Sequence, residues 1–216
     1  MNLQDKIINV LGDSITQGVG TSAPEHIYQN VLGRLVGARE VRNYGISGTR
    51  IAKQIGGDDC GGAFTDRYSG MDDNADLILV FGGTNDYGHG NAPFGGWGDR
   101  TTDTFIGACH VLFEGLIRKY PASRIVIMTP LQRAGGNNPC GNTGKPLSDY
   151  ADAIIRVANY YSLPVLDLYR TAGICPDIPV QRDLFMPDGL HPNDEGFAHY
   201  GANLIAKLNA LLHEEE

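Results

Sequence analysis

Five apolar runs, each followed by a stretch of a different character, constrain this chain more than any other feature. Ile7–Leu11, Val41–Ile46, Leu77–Phe81, Arg124–Thr129 and Pro164–Leu168 read as strands. Most are almost continuously hydrophobic, the pattern of parallel strands covered on both faces. Helical periodicity is clearest at Phe105, Cys109, Leu112 and Leu116, with Ile106, Phe113 and Ile117 widening the stripe. Ala151, Ile154, Ile155, Ala158 and Tyr161 mark a second helix, and Phe197, Tyr200, Leu204, Leu208 and Leu211 a third; a shorter one covers Tyr28 to Val36. Strand–helix alternation of this kind predicts an α/β sandwich around a parallel sheet of about five strands. In such a sheet ligands sit beyond the carboxyl ends of the strands, near the point where strand order switches. Three glycine-rich loops, 56–62, 87–100 and 132–145, interrupt the alternation. With no internal repeat and no linker, the 216 residues read as one domain. A domain of that size buries roughly 70% of its unfolded surface and needs no staple or metal for stability.

Charge narrows the partners. The formal net charge is −8, and the Lys/Arg clusters that a phosphate backbone or an anionic lipid surface rewards are absent. A neutral or small substrate is expected, with neither nucleic acid nor membrane as partner; oligomeric state is left open. The apolar run Leu77 to Phe81 is far below the roughly 20 residues of a membrane span. The first strand begins within about six residues of the start, too early for a signal peptide, so a cytoplasmic protein is expected. Cys60, Cys109, Cys140 and Cys175 stand far apart and read as scattered reduced thiols, with Cys109 a small hydrophobe on a helix face. The stretch Asp72-Asp73-Asn74-Ala75-Asp76 has Leu77 and Gly83 where a calcium loop needs glycine and glutamate. It reads as a solvated acidic turn. No His or Cys grouping has zinc spacing, and neither cofactor nor metal is expected.

The chemistry lies at the chain's two ends. Ser14 directly follows the first apolar run, which places its hydroxyl at a strand's carboxyl end. Asp188 and His191 stand three apart in a short turn ahead of a helix. That spacing lets a carboxylate reach imidazole Nδ1 and leaves Nε2 free to take a serine proton. Each residue also has a plainer reading. Ser14 serves equally as a helix cap, His191 as a surface turn residue before Pro192-Asn193, Gly48 as a tight bend, and Asn85-Asp86 as ordinary turn chemistry.

Four short stretches line up in order: Gly12-Asp13-Ser14-Ile15, Gly45-Ile46-Ser47-Gly48, Gly83-Thr84-Asn85-Asp86 and Asp188-Gly189-Leu190-His191. Their identity and distribution over nearly the whole chain resemble the SGNH hydrolases, also called the GDSL lipase/esterase family. The resemblance implies a flavodoxin-like three-layer α/β/α sandwich whose five-stranded parallel sheet has the order 2-1-3-4-5. It implies ester hydrolysis through an acyl-enzyme on Ser14, with His191 as base and Asp188 orienting it. The oxyanion hole would be formed by the N–H groups of Ser14 and Gly48 and the Asn85 amide. Asp13 reads as structural rather than chemical.

The substrate pocket is less defined. The loop following Asn85 mixes glycines with aromatic rings, a combination suited to an adaptable wall, so Tyr87, His89, Phe94 and Trp97 are substrate-binding candidates. The alternative is that they pack the loop onto its own domain. Arg133 and Asn138 are further candidates from the loop after the fourth strand. Without a long apolar helix or lid, and with polar loops, a small-molecule ester of a short acyl group is expected, acetyl first, on a polar alcohol such as a sugar. A lysophospholipase or acyl-thioesterase uses the same chemistry. From another class, a binding module cradling phosphate at Gly12–Gly20 would leave Asp188 and His191 unexplained and lacks the spacing of a phosphate-binding loop.

Overall fold

A computed structural model describes residues 2–57 and 60–213. The elements run β1 (Ile7–Gly12), α1 (Ser14–Gln17), α2 (Tyr28–Val36), β2 (Glu40–Gly45), α3 (Phe64–Arg67), β3 (Leu77–Phe81), α4 (Thr84–Gly88), α5 (Phe105–Lys119), β4 (Arg124–Met128), α6 (Leu147–Tyr160), β5 (Val165–Leu166), α7 (Leu168–Thr171), α8 (Pro179–Phe185) and α9 (Asp194–His213). The five strands form one parallel sheet in the order β2-β1-β3-β4-β5. The sheet has the expected composition and order.

Alternation along each strand divides the interior into two cores. Ile7, Leu11, Ile78, Val80, Ile125 and Ile127 face one side, where Phe105, Cys109, Leu112 and Leu116 of α5 and Tyr150, Ile154 and Val157 of α6 cover them. Ile8, Val10, Leu77, Leu79, Val126 and Met128 face the other, beneath Tyr28 and Leu32 of α2 and Phe197, Tyr200, Leu204 and Leu208 of α9. Helices therefore cover both faces, the reason β1 and β3 are buried at every position. Cys109 is fully buried and its thiol is pushed up by that burial, in keeping with its reading as a hydrophobe. Among the described residues no cysteine is joined in a disulfide.

β1 and β4 differ from expectation by one residue at one end, and two strands depart further. β2 is an edge strand, half exposed along its length, and begins at Glu40 rather than Val41. β5 is only Val165–Leu166. There the Asp167 side chain accepts from the Arg170 N–H at 3.3 Å and caps α7, and Thr129 Oγ1 accepts from the Tyr169 N–H at 2.9 Å. Side-chain caps thus replace the ladder where the reading extended it to Leu168. The acidic turn before β3 is structural: Asp76 accepts from the Ile7 N–H at 2.9 Å and from Lys6 Nζ at 3.2 Å, anchoring the start of β1. No helix among the described residues is long and apolar enough to cross a membrane.

Candidate active site

Strand order switches between β1 and β3, and the carboxyl ends of β1 and β3 with the loop after β2 converge there. Ser14 opens α1 immediately beyond β1. Asp13, not Ser14, caps that helix: its carboxylate accepts from the Ile15 N–H at 3.0 Å. The Ser14 hydroxyl is thereby released from capping, and its Oγ lies 2.9 Å from His191 Nε2. His191 Nδ1 lies 2.6 Å from Asp188 Oδ2. The other Asp188 oxygen accepts the N–H groups of Leu190 and His191 at 2.8 and 2.7 Å. Partial burial pushes the Asp188 carboxyl up, but the backbone and imidazole hydrogen bonds outweigh it and hold the carboxyl below its ordinary range. An ionised Asp188 stabilises an imidazolium as it forms.

The two ends of the chain meet because the segment after α1 is stitched to the start of α9. Ser22 donates its N–H to Asp194 at 2.9 Å, and His26 Nδ1 lies 2.9 Å from the same carboxylate. Gly20 has φ +99°, and a Cβ there would stand 2.4 Å from the Pro192 carbonyl oxygen and 3.2 Å from His191 Cβ. Only glycine lets that turn approach His191 so closely. From the other direction, α8 presents the 186–191 turn. Its Phe185 carbonyl accepts the Asn193 N–H at 2.9 Å, and Asn193 Oδ1 caps α9 by accepting from the Gly196 N–H at 2.9 Å. The sequence reading missed α8, whose residues include none that is buried. Seven residues span barely two turns, too short for a helical period to stand out, and its Val180 and Leu184 are exposed.

Gly48 lies in the loop after β2 with φ +76°. Among the described residues its N–H and that of Ser14 take no part in the turn and loop hydrogen bonds that hold these segments. Asn85 lies on α4, buried, with Nδ2 donating to the Thr49 carbonyl at 3.0 Å and Oδ1 at 3.0 Å from His89 Nε2. An amide nitrogen carries two hydrogens, so one remains beyond the Thr49 bond. Three N–H donors thus belong to segments that hydrogen bonds link at this edge: the Asn85 amide holds the Thr49 carbonyl beside Gly48, and the Ile46 N–H donates to the Gly12 carbonyl just before Ser14.

A buried carboxyl that the sequence reads as ordinary turn chemistry, Asp86, and a partly buried guanidinium that it passes over, Arg67, hold this edge together. Asp86 accepts the N–H groups of Ile51 and Ala52 at 2.9 and 3.0 Å, clamping the Gly48 loop to α4. Arg67 donates to the carbonyls of Gly12 at 3.0 Å, Tyr44 at 2.8 Å and Gly62 at 2.9 Å, and to Thr49 Oγ1 at 2.9 Å. Burial lowers the Arg67 pKa to about 10, against the opposing pull of Asp13. Asp86 stands directly beside Asn85, which is the signal that points to it; Arg67 carries none, because most of its partners are backbone carbonyls.

Burial lifts Asp13 from 3.8 to about 7; the Ile15 N–H and Arg67 oppose the rise and Asp86 adds to it. Burial likewise lifts Asp86 from 3.8 to about 6, against the N–H groups of Ala52 and Ile51. A carboxyl with a raised folded pKa binds its proton more tightly in the folded chain. Its contribution is complete below the unfolded value near 3.9 and is lost as pH rises through the folded value. For Asp13 the loss corresponds to about 4 kcal/mol between roughly pH 4 and pH 7. Asp13→Asn keeps an oxygen for the Ile15 N–H. It is expected to match the parent's stability near pH 4 and to exceed it by up to about 4 kcal/mol near pH 8, measured by urea unfolding at both pH values. Equal stability at pH 8 would show the buried charge to be compensated.

The aromatic candidates separate. His89 touches Asn85, as above. Tyr87 is buried, donates its hydroxyl to the Gly135 and Asn138 carbonyls at 2.9 and 3.0 Å, and packs edge-on against Tyr150. Phe94 stacks on Phe105 with ring centroids 5.7 Å apart, and Trp97 lies under the Arg156 guanidinium at 3.9 Å. With α6 these two rings wall a cavity of about 230 Å³ to which Ser14, Asn85 and His191 contribute nothing. The ring contacts of Phe94 and Trp97 are thus with α5 and α6. The apolar surface of α5 and α6 draws them there, because burying an aromatic ring outweighs leaving it on a loop. Arg133 reaches the Thr84 carbonyl at 3.3 Å and stands over the Tyr87 ring, bracing α4. Asn138 contributes its carbonyl to Tyr87.

Comparison with known proteins gives the same picture. The model of the GDSL-like lipase/acylhydrolase family matches residues 10–199. A multidomain esterase of Ruminococcus flavefaciens is 29% identical over 152 residues, which is 70% of this chain and 17% of that much longer protein. A crystal structure of a Lactobacillus plantarum protein superposes with a TM-score of 0.84 at 33% identity, covering 96% of this chain and 98% of the other. A two-domain esterase active on acetylated mannans shares the fold, with a TM-score of 0.68 at 20% identity, over 97% of this chain and 50% of its own. The match spans most of the motif-bearing sequence, from β1 into α9. The chain belongs to the GDSL-like lipase/acylhydrolase family.

Proposed function

We propose that the protein is a serine esterase that removes short acyl groups, acetyl first, from a polar alcohol such as a sugar. The observation that carries this reading is the continuous Ser14–His191–Asp188 hydrogen-bond chain, 2.9 and 2.6 Å, built from residues 177 positions apart. Ser14 Oγ attacks the ester carbonyl while His191 Nε2 takes its proton. Asp188 holds the proton on Nδ1 and the ring in place. The carbonyl oxygen, now negative, is met by the N–H groups of Ser14 and Gly48 and the amide of Asn85. Collapse expels the alcohol, which receives its proton from His191. Water, deprotonated by the same imidazole, then attacks the acyl-enzyme and restores Ser14.

The preference for short acyl groups rests on the polar character of the loops that follow the strands. The activities named for the esterase relatives, including one on acetylated mannans, lend the carbohydrate reading weight. The test is a panel of p-nitrophenyl acetate, butyrate and octanoate with acetylated oligosaccharides and a thioester. Expected is a kcat/KM highest on acetyl and at least tenfold lower on octanoate. Preference for octanoate or for the thioester would move the assignment to a lysophospholipase or acyl-thioesterase. A folded protein inert on every ester would leave the binding-module reading.

A further inference from the structure

We infer that His89, held by Arg50, is a positioning residue that sets the orientation of the Asn85 amide in the oxyanion hole. The inference rests on the esterase reading and adds a residue to it.

A guanidinium donates hydrogen bonds and accepts none. An Arg50 terminal nitrogen contacts His89 Nδ1 and also donates to the His89 carbonyl at 3.3 Å, so Nδ1 is the acceptor and carries no proton. The ring proton of the neutral imidazole is then on Nε2, the atom 3.0 Å from Asn85 Oδ1. That assignment fixes the amide: Oδ1 accepts from His89, and Nδ2 donates to the Thr49 carbonyl at 3.0 Å. Turning the amide over would set Nδ2 against the Nε2 proton and Oδ1 against the Thr49 carbonyl, losing both bonds. With the amide held, its second hydrogen stays available to the substrate oxygen.

The contacts close a ring. Thr49 accepts from Asn85, Asn85 from His89, His89 from Arg50, and Arg50 follows Thr49 in the chain. Asn85 and His89 meet because they stand one helical turn apart, with the His89 N–H donating to the Asn85 carbonyl at 3.1 Å. Arg50 is 5% exposed and Asn85 3%, while His89 reaches the surface, so the Thr49–Asn85 end of the ring is shielded from water and the imidazole closes it from outside. The ring also joins the Gly48 loop to α4, so one constraint aligns the donors from both segments.

The experiment compares His89→Ala, His89→Gln, Asn85→Ala and Asn85→Ala/His89→Ala on p-nitrophenyl acetate, with circular dichroism confirming the fold. His89→Ala is expected to lower kcat 10- to 100-fold with KM within about twofold. Glutamine offers an acceptor and a donor at similar reach and should restore most of the rate. In the Asn85→Ala background, removing His89 should change kcat less than twofold, because the residue acts through that amide. Long-range nitrogen–proton NMR of the ring should show the proton on Nε2 in the unliganded protein. His89→Ala at parent kcat, an equal loss in the Asn85→Ala background, or a proton on Nδ1 would each overturn the inference while leaving a labelled, active Ser14 intact. A parent protein that neither hydrolyses acetyl esters nor reacts with a fluorophosphonate would remove the esterase reading, and this inference with it.

Discussion

Ser14→Ala is expected to lower kcat on p-nitrophenyl acetate by at least about 10⁴-fold, a transition-state loss on the order of 5 kcal/mol or more. The imidazole 2.9 Å away would then have no hydroxyl to deprotonate, and no acyl-enzyme could form. Residual turnover would come from the oxyanion donors acting on water. Stability should change by less than about 0.5 kcal/mol, because Asp13 rather than Ser14 supplies the cap of α1. A purely structural serine would show the reverse pattern, lost stability with retained turnover. The accompanying check is covalent labelling by a fluorophosphonate, present in the parent and absent in the variant. A variant still labelled, or within tenfold of the parent rate, would take the nucleophile away from Ser14.

Asn85→Ala is the second large effect, an expected fall of about 10²- to 10³-fold in kcat with KM little changed. The separation matters. A donor that tightens only as charge develops on the substrate oxygen affects kcat, whereas one that binds the resting ester affects KM. The loss should sit toward the upper end of that range for a reason specific to this site. Asn85 also holds the Thr49 carbonyl, next to Gly48, so its removal loosens a second donor as well as deleting the first. Asn85→Asp tests the sign: a carboxylate in the same space opposes the oxyanion and should be worse than alanine. Unchanged kcat with a raised KM would assign Asn85 to substrate binding instead.

Much of the architecture was legible because its signals are local. β1, β3 and α5 announce themselves through apolar patterns that burial on one or both faces makes obligatory, and β3 and α2 have the boundaries read from the sequence. β5 and the edge strand β2 were read less well. In β5 the Asp167 and Thr129 caps end the ladder early, and in β2 the exposed edge admits polar residues. The site divides in the same way. Ser14, Gly48, Asn85, Asp188 and His191 stand out by residue type and spacing, and the fold brings the Ser14, His191 and Asp188 side chains into one hydrogen-bond chain. For Phe94 and Trp97 the sequence leaves two readings, since an aromatic ring on a glycine-rich loop fits a pocket wall and a helix face equally well, and packing against α5 and α6 is what the structure adds.

Local order along the chain, then, determined a parallel sheet and which side chains are equipped for acyl transfer. Tertiary structure alone decided that Ser14 and His191 stand within a hydrogen bond of each other, that Asp13 is buried and lifted, and that Arg67, Asp86, Arg50 and His89 bind the motif segments into one edge. The physical reason is range. A strand's pattern is written in neighbours two residues apart, but a buried guanidinium is satisfied by whichever carbonyls the fold delivers, and those come from segments that share no local signal.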